Sequence, residues 1–191
     1  MNCRILVIMA GGKSSRMQTD KALLPFKGYN SLAQYQYERL KPFFSKIYLS
    51  AKENKFDFEV EMICDISEES SPLVALVSIF ETLKDLDEVA ILSVDAPFVD
   101  GVVFERLWEN LKEDSDAIVS SSPNGLEPLC AIYRRTILAT AKEMLAENRH
   151  RLQTLLERVQ TQKLLFLEEK LFMNLNYPFE FESAKKSSSN I

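Results

Sequence analysis

Residues 4–10 read Arg4-Ile5-Leu6-Val7-Ile8-Met9-Ala10, an apolar run too short for a helix and without the polar alternation of a half-exposed strand. Such a run forms a strand covered on both faces, the arrangement of a parallel sheet with helices above and below. Directly behind it stand Gly11-Gly12-Lys13-Ser14-Ser15-Arg16-Met17-Gln18-Thr19-Asp20-Lys21. Adjacent glycines let the backbone turn sharply and bring its N–H groups close to an anion, and Lys13, Arg16 and Lys21 add three positive charges. The glycines alone read equally well as a tight turn. Glycines, hydroxyls and cations together behind a buried strand point to a site for a polyphosphate. The stretch has neither the GxxxxGK[ST] spacing nor the GxGxxG spacing of the commoner phosphate loops.

Strands and helices then alternate, which is the pattern of an α/β fold with a mostly parallel sheet. Helical spacing over 29–44, with Asn30 and Ser31 as caps, predicts the first crossover helix. Strands are expected at 46–50, 59–64, 88–94, 116–120, 163–167 and 171–173. Pro72 opens a helix whose apolar face is Leu73, Leu76, Val77, Phe80 and Leu83. Further helices are expected over 102–111 and on either side of Asn148-Arg149-His150-Arg151. Those last cations form either a second anion site or a solvated helix end, and the helix end is the favoured reading. Trp108 reads as packing. Residues 1–182 are expected to form one domain, and 183–191, with little apolar content, a disordered tail.

Composition narrows the chemistry. A net charge of −5 over 191 residues argues against a nucleic-acid surface. No apolar run is long enough to span a bilayer and the start is not a cleavable signal, so the cytoplasm is the expected compartment. Cys3, Cys64 and Cys130 are far apart and read as buried free thiols. With one histidine, His150, any metal is expected on carboxylates, which favours magnesium. Asp95 follows the apolar run at 89–94, at the end of a central strand where ligands of doubly wound sheets bind. Taken alone, an aspartate in Asp95-Ala96-Pro97-Phe98 reads as a helix cap.

Several segments bear on that choice. Ala10-Gly11-Gly12, Ser14, Arg16-Met17 and Asp20-Lys21-Ala22-Leu23-Leu24-Pro25 resemble the signature [LI]AGGxSxRMGxDKALLPF of the molybdenum cofactor guanylyltransferases, the molybdopterin-guanine dinucleotide biosynthesis protein A family. Gln18 stands where that family has glycine. Asp65 with Ser71-Pro72-Leu73-Val74-Ala75 resembles its D-x(5 to 7)-G-P-L-x-G, with both glycines replaced. Asp95-Ala96-Pro97-Phe98 matches D-x-P-[FY], and Glu127-Pro128-Leu129-Cys130-Ala131-Ile132-Tyr133-Arg134 matches [HQE]-P-L-[FC]-A-x-Y-R. Asn174-Leu175-Asn176-Tyr177-Pro178 is similar to N-[VLI]-N-T-P-E, with Tyr177 and Phe179 departing from it.

The resemblance implies a three-layer Rossmann-like nucleotidyltransferase fold and transfer of GMP from GTP to molybdopterin carrying molybdenum, releasing pyrophosphate. It implies Arg16, Lys21 and Asp95 as catalytic residues, with Asp95 holding magnesium. GTP would lie against Met9, Ala10, Gly11, Gly12, Ser14, Lys21, Ser50, Asp65 and Asp95, and the acceptor against Asn174 and Asn176. Maturation proteins of molybdoenzymes are the implied protein partners. Three alternatives stand beside this reading: a related transferase using CTP or a sugar or lactate phosphate acceptor, a nucleotide-binding regulatory protein without catalysis, and a Rossmann-like interaction module that binds no nucleotide.

Overall fold

Along β1 (Ile5–Met9), Leu6 and Ile8 enter one buried cluster while Val7 and Met9 enter another, as a two-residue period requires of a strand enclosed on both sides. The computed structural model describes residues 4–11, 20–67 and 69–186. β1 pairs in parallel with β2 (Lys46–Ala51), which pairs in parallel with β3 (Glu61–Cys64) at one sheet edge. On its other side β1 pairs in parallel with β4 (Glu88–Ser93). Beyond β4 the direction reverses. A hairpin of β5 (Ala117–Ser122) and β6 (Gly125–Arg134) lays β6 antiparallel against β4, and β7 (Thr161–Leu165) runs parallel to β5. The resulting order is β3-β2-β1-β4-β6-β5-β7.

The helices are α1 (Leu32–Leu40), α2 (Pro72–Thr82), α3 (Gly101–Asn110), α4 (Leu138–Ala146), α5 (Leu152–Arg158) and α6 (Pro178–Lys186). α1, α3 and α6 cover the sheet face of Leu6 and Ile8, and α2, α4 and α5 cover the face of Val7 and Met9. This is the expected three-layer α/β sandwich. Local chemistry starts the helices where the sequence suggests. Ser31 accepts from the Gln34 N–H at 3.1 Å, and Ser71 accepts from the Val74 N–H at 3.2 Å with Pro72 in the first turn of α2. At the start of α3, a Cβ on Gly101 would lie 2.0 Å from Cγ of Phe43, so only glycine lets the helix approach that ring.

Three expectations are corrected. Residues 171–173 do not form a strand: Glu169–Phe172 is a 3-10 turn, because the Leu171 N–H is satisfied by the Glu168 carbonyl at 3.0 Å while Phe172 tucks edge-on against Phe166. The tail set to begin at 183 starts too early. α6 continues to Lys186 because Phe181 and Ala184, three residues apart, both enter the core. Cys130 is a buried free thiol, pushed up to about 12 by burial, but Cys64 is exposed because it ends the edge strand β3. Cys3 lies outside the described residues.

Candidate active site

At the carboxyl end of the parallel strands, Met9 stands opposite Ser50 on one side and Ser93 on the other. The Ala10 N–H still donates to the Ser50 carbonyl at 2.8 Å, and the Val94 N–H to the Met9 carbonyl at 3.0 Å. Past that row the chains diverge, β1 toward the glycine loop and β4 toward Asp95, which is the opening a reversal of strand order creates. One cleft there is lined by Met9, Gly11, Ser50, Asp65, Ser71 and Ser93. A second is lined by Ser93, Asp95, Glu127, Pro128, Phe172 and Asn174. Ser93 and Leu129 belong to both, so the two clefts adjoin.

Lys21 meets Asp95, which lines the second cleft beside Ser93. Asp20 accepts the Ala22 N–H at 3.0 Å and so caps the short 3-10 turn Lys21–Leu23, which presents Lys21. The Lys21 ammonium donates to Oδ2 of Asp95 at 2.6 Å and to Oδ1 of Asn176 at 3.1 Å. The hydroxyl of Ser93 donates to the other Asp95 oxygen at 2.5 Å. The main chain fixes the same place, because the Leu175 N–H donates to the Asp95 carbonyl at 2.9 Å. Both partners are largely buried, their side chains 15% and 17% exposed. Asp95 caps no helix. Asp100 fills that role for α3, accepting the Val103 N–H at 3.2 Å.

Two buried polar atoms of the first cleft, Oγ of Ser50 and Oδ1 of Asp65, have no hydrogen-bond partner among the described residues. Burial pushes the Asp65 carboxyl above the ordinary aspartate range, and the charge of Lys52 offsets part of that rise. At the cleft mouth, Ser71 Oγ lies 3.1 Å from Nδ1 of His150, whose Nε2 lies 3.0 Å from Oδ1 of Asn148. Among the described residues, a Cβ on Gly11 would make ordinary contacts with Ala51 Cα at 3.6 Å and the Ser50 carbonyl at 3.8 Å. In the second cleft burial raises Glu127, whose Oε1 accepts from Ser122 at 3.0 Å.

Met9, Gly11, Ser50 and Asp65 thus come together in one cleft and Asp95 and Asn174 in the other, while Lys21 bonds both Asp95 and Asn176. Ala10 begins the loop beside them. Gly12, Ser14 and Arg16 lie outside the described residues. Sequence reasoning left Ser93 without a role at the site, and it placed Glu127 only within a matching segment. Ser93 was findable, since it ends β4 two positions before Asp95. At the helix end near His150, Glu147 pairs with both Arg149 at 3.4 Å and Arg158 at 3.0 Å, in keeping with the favoured solvated reading. Among the described residues no group of three or more His, Cys, Asp or Glu side chains converges as a metal cage.

A family model described as the MobA-like NTP transferase domain matches residues 6–163. The chain is 36% identical over 187 residues to the molybdenum cofactor guanylyltransferase of Campylobacter jejuni subsp. jejuni serotype O:6, covering 97% of this chain and 95% of that one. It is 30% identical over 191 residues to the protein of the same name from Helicobacter pylori, covering 93% and 90%. Among solved structures, molybdopterin-guanine dinucleotide biosynthesis protein A from Archaeoglobus fulgidus shares the fold with a TM-score of 0.81 at 20% identity, over 95% of this chain and 96% of that one.

Proposed function

Because the chain belongs to the MobA-like NTP transferase family, we propose that it transfers GMP from GTP to molybdopterin carrying molybdenum, releasing pyrophosphate. The observation that carries this reading is the meeting of Lys21, Asp95 and Asn176 in the wall of the second cleft, with Asp95 bonded to Ser93, a residue both clefts share. A triphosphate in the first cleft and a phosphate-bearing acceptor in the second would bring their reacting atoms together there. Membership in a family of transferases favours catalysis over the binding-only alternative.

In the reaction, a terminal phosphate oxygen of the pterin forms a bond to the α-phosphorus of GTP. The bond from that phosphorus to the bridging oxygen breaks, and pyrophosphate leaves with the electron pair. No protein nucleophile is needed, because such transfers depend on positioning and charge neutralisation. Lys21 would exchange Asp95 for phosphate oxygens, joined there by Arg16, Ser14 and the backbone N–H groups of Gly11 and Gly12. Asp65 and Ser50, with buried oxygens awaiting partners, suit guanine, whose amine and ring N–H are donors. Met9 and Ala10 would wall the nucleoside, and Asn174 the acceptor.

The Asp95 carboxylate fits magnesium, which usually takes one or two carboxylates plus substrate phosphates rather than a full protein cage. Its two oxygens hold one hydrogen bond each in the contacts described, leaving lone pairs for a cation. When bound, such an ion would neutralise charge on the triphosphate. The proposal includes a cytoplasmic setting and delivery of product to molybdoenzyme maturation proteins. Among the described residues no helix is long and apolar enough to cross a membrane.

The test is pyrophosphate release with each of the four nucleoside triphosphates in the presence of molybdopterin. Release with GTP alone is the expected result. Equal release with CTP would overturn the base assignment, and release only with a sugar phosphate as acceptor would overturn the pterin.

A further inference from the structure

We propose that Lys55 is a positioning residue that clasps the two ends of the phosphate loop and thereby sets where Lys21 stands. The inference rests on reading residues 11–21 as the triphosphate loop, and it holds for any base. Lys55 comes from the connection between β2 and β3, outside every motif of the family signature. Its ammonium donates to the Ala10 carbonyl at 2.9 Å and to the Asp20 carboxylate. Ala10 is the last residue of the strand run and Asp20 the residue directly before the Lys21 turn, so one cation holds both ends of the loop. The Lys55 side chain is 20% exposed, against the ordinary tendency of a lysine to keep its head in water.

The consequence passes through Asp20. Its second oxygen accepts the Ala22 N–H and so caps the turn that carries Lys21, and Lys21 in turn reaches Asp95. Lys55 therefore acts on Lys21 through one intervening carboxylate. It also neutralises that carboxylate, which would otherwise repel a polyanion approaching the loop. A lysine supplies the charge and two directed donors together, with a third donor remaining.

The test compares Lys55→Met, Lys55→Arg, Asp20→Asn and the double variant Lys55→Met with Asp20→Asn, using Lys21→Ala as reference. Binding of inorganic tripolyphosphate is measured by calorimetry, and GTP and acceptor kinetics are measured alongside. Lys55→Met is expected to weaken tripolyphosphate binding roughly tenfold, a size in keeping with coupling through one shared network. It should raise KM for GTP far more than it lowers kcat, and leave KM for the acceptor unchanged. Lys55→Arg should restore most of the loss, and the double variant should be no worse than the worse single one. Should Lys55→Met fold poorly, Asp20→Asn opens the clasp from the other side and is read in the same way. Additive losses, or wild-type binding in Lys55→Met while Lys21→Ala binds weakly, would overturn the clasp and leave the loop reading standing. Wild-type binding in both Lys55→Met and Lys21→Ala would overturn the loop reading itself.

Discussion

At the scale of single residues, the pairing of Lys21 with Asp95 separates a structural from a chemical role. Asn caps a helix about as well as Asp, but Asp100 already caps α3, so Asp95→Asn has no cap to preserve or lose. The substitution deletes the charge that faces Lys21 and that suits a magnesium ion. We predict that transfer at saturating magnesium falls by at least about 100-fold, the usual scale for losing one charged group from a transition-state site. Near wild-type turnover would remove Asp95 from the chemistry. Asp65 makes a prediction in pH. Its carboxyl is raised by burial, so between the pKa of the unfolded chain and the raised native value the folded state holds the extra proton. Its contribution to stability therefore declines as pH rises through that window and is level above it. Recognition of guanine runs the other way, because only the ionised carboxylate accepts two N–H donors. GTP affinity should rise with pH through the same acid window, and Asp65→Asn should flatten that limb. Calorimetry across the window decides it: an unchanged limb in the variant would exclude Asp65 from base recognition.

Among the elements, α6 was the least legible in the sequence. Its composition suggests a tail, yet Pro178 in its first turn, Glu180 behind it and the spacing of Phe181 and Ala184 are helix signals of ordinary kinds. The hairpin before β6 was legible because Pro123, Asn124 and Gly125 are turn residues, and Gly125 adopts φ +130° there. α6 also supports the site. Glu180 accepts the N–H groups of Asn176 at 2.7 Å and Tyr177 at 2.9 Å, which holds the approach to the helix. Phe181 meets Phe26 edge-on with ring centroids 5.3 Å apart, and Phe26 follows closely on the turn that carries Lys21. This aromatic contact therefore ties the segment of Asn176 to the segment of Lys21. Phe181→Ala should cost about 3–5 kcal/mol of stability by the usual figure for a buried phenylalanine. Chemical denaturation measures that loss, and a change below about 1 kcal/mol would show that α6 is not anchored through this ring.

For the whole molecule, the reversal of direction at β6 decides how the site is divided. β3, β2, β1 and β4 bring their carboxyl ends to one edge, and antiparallel β6 brings its early residues, Glu127 to Cys130, to that same edge. The second cleft thus lies between strands of opposite sense. The layers were legible because doubly buried runs such as 5–9 and 89–92 announce a covered sheet. The pairing of β6 with β4 was not, since nothing local in either strand names its neighbour. Lys55 escaped for the same reason, as one lysine among the polar residues of a connection. A separate consequence follows from the bond between Lys21 and Asn176, which spans 155 positions. On a chain made from its amino end, Lys21 and then Asp95 emerge from the ribosome long before Asn176 does. Between the making of Asp95 and that of Asn176 the nascent polypeptide holds the lysine and the aspartate without the asparagine, and the contact is completed only when that late segment arrives.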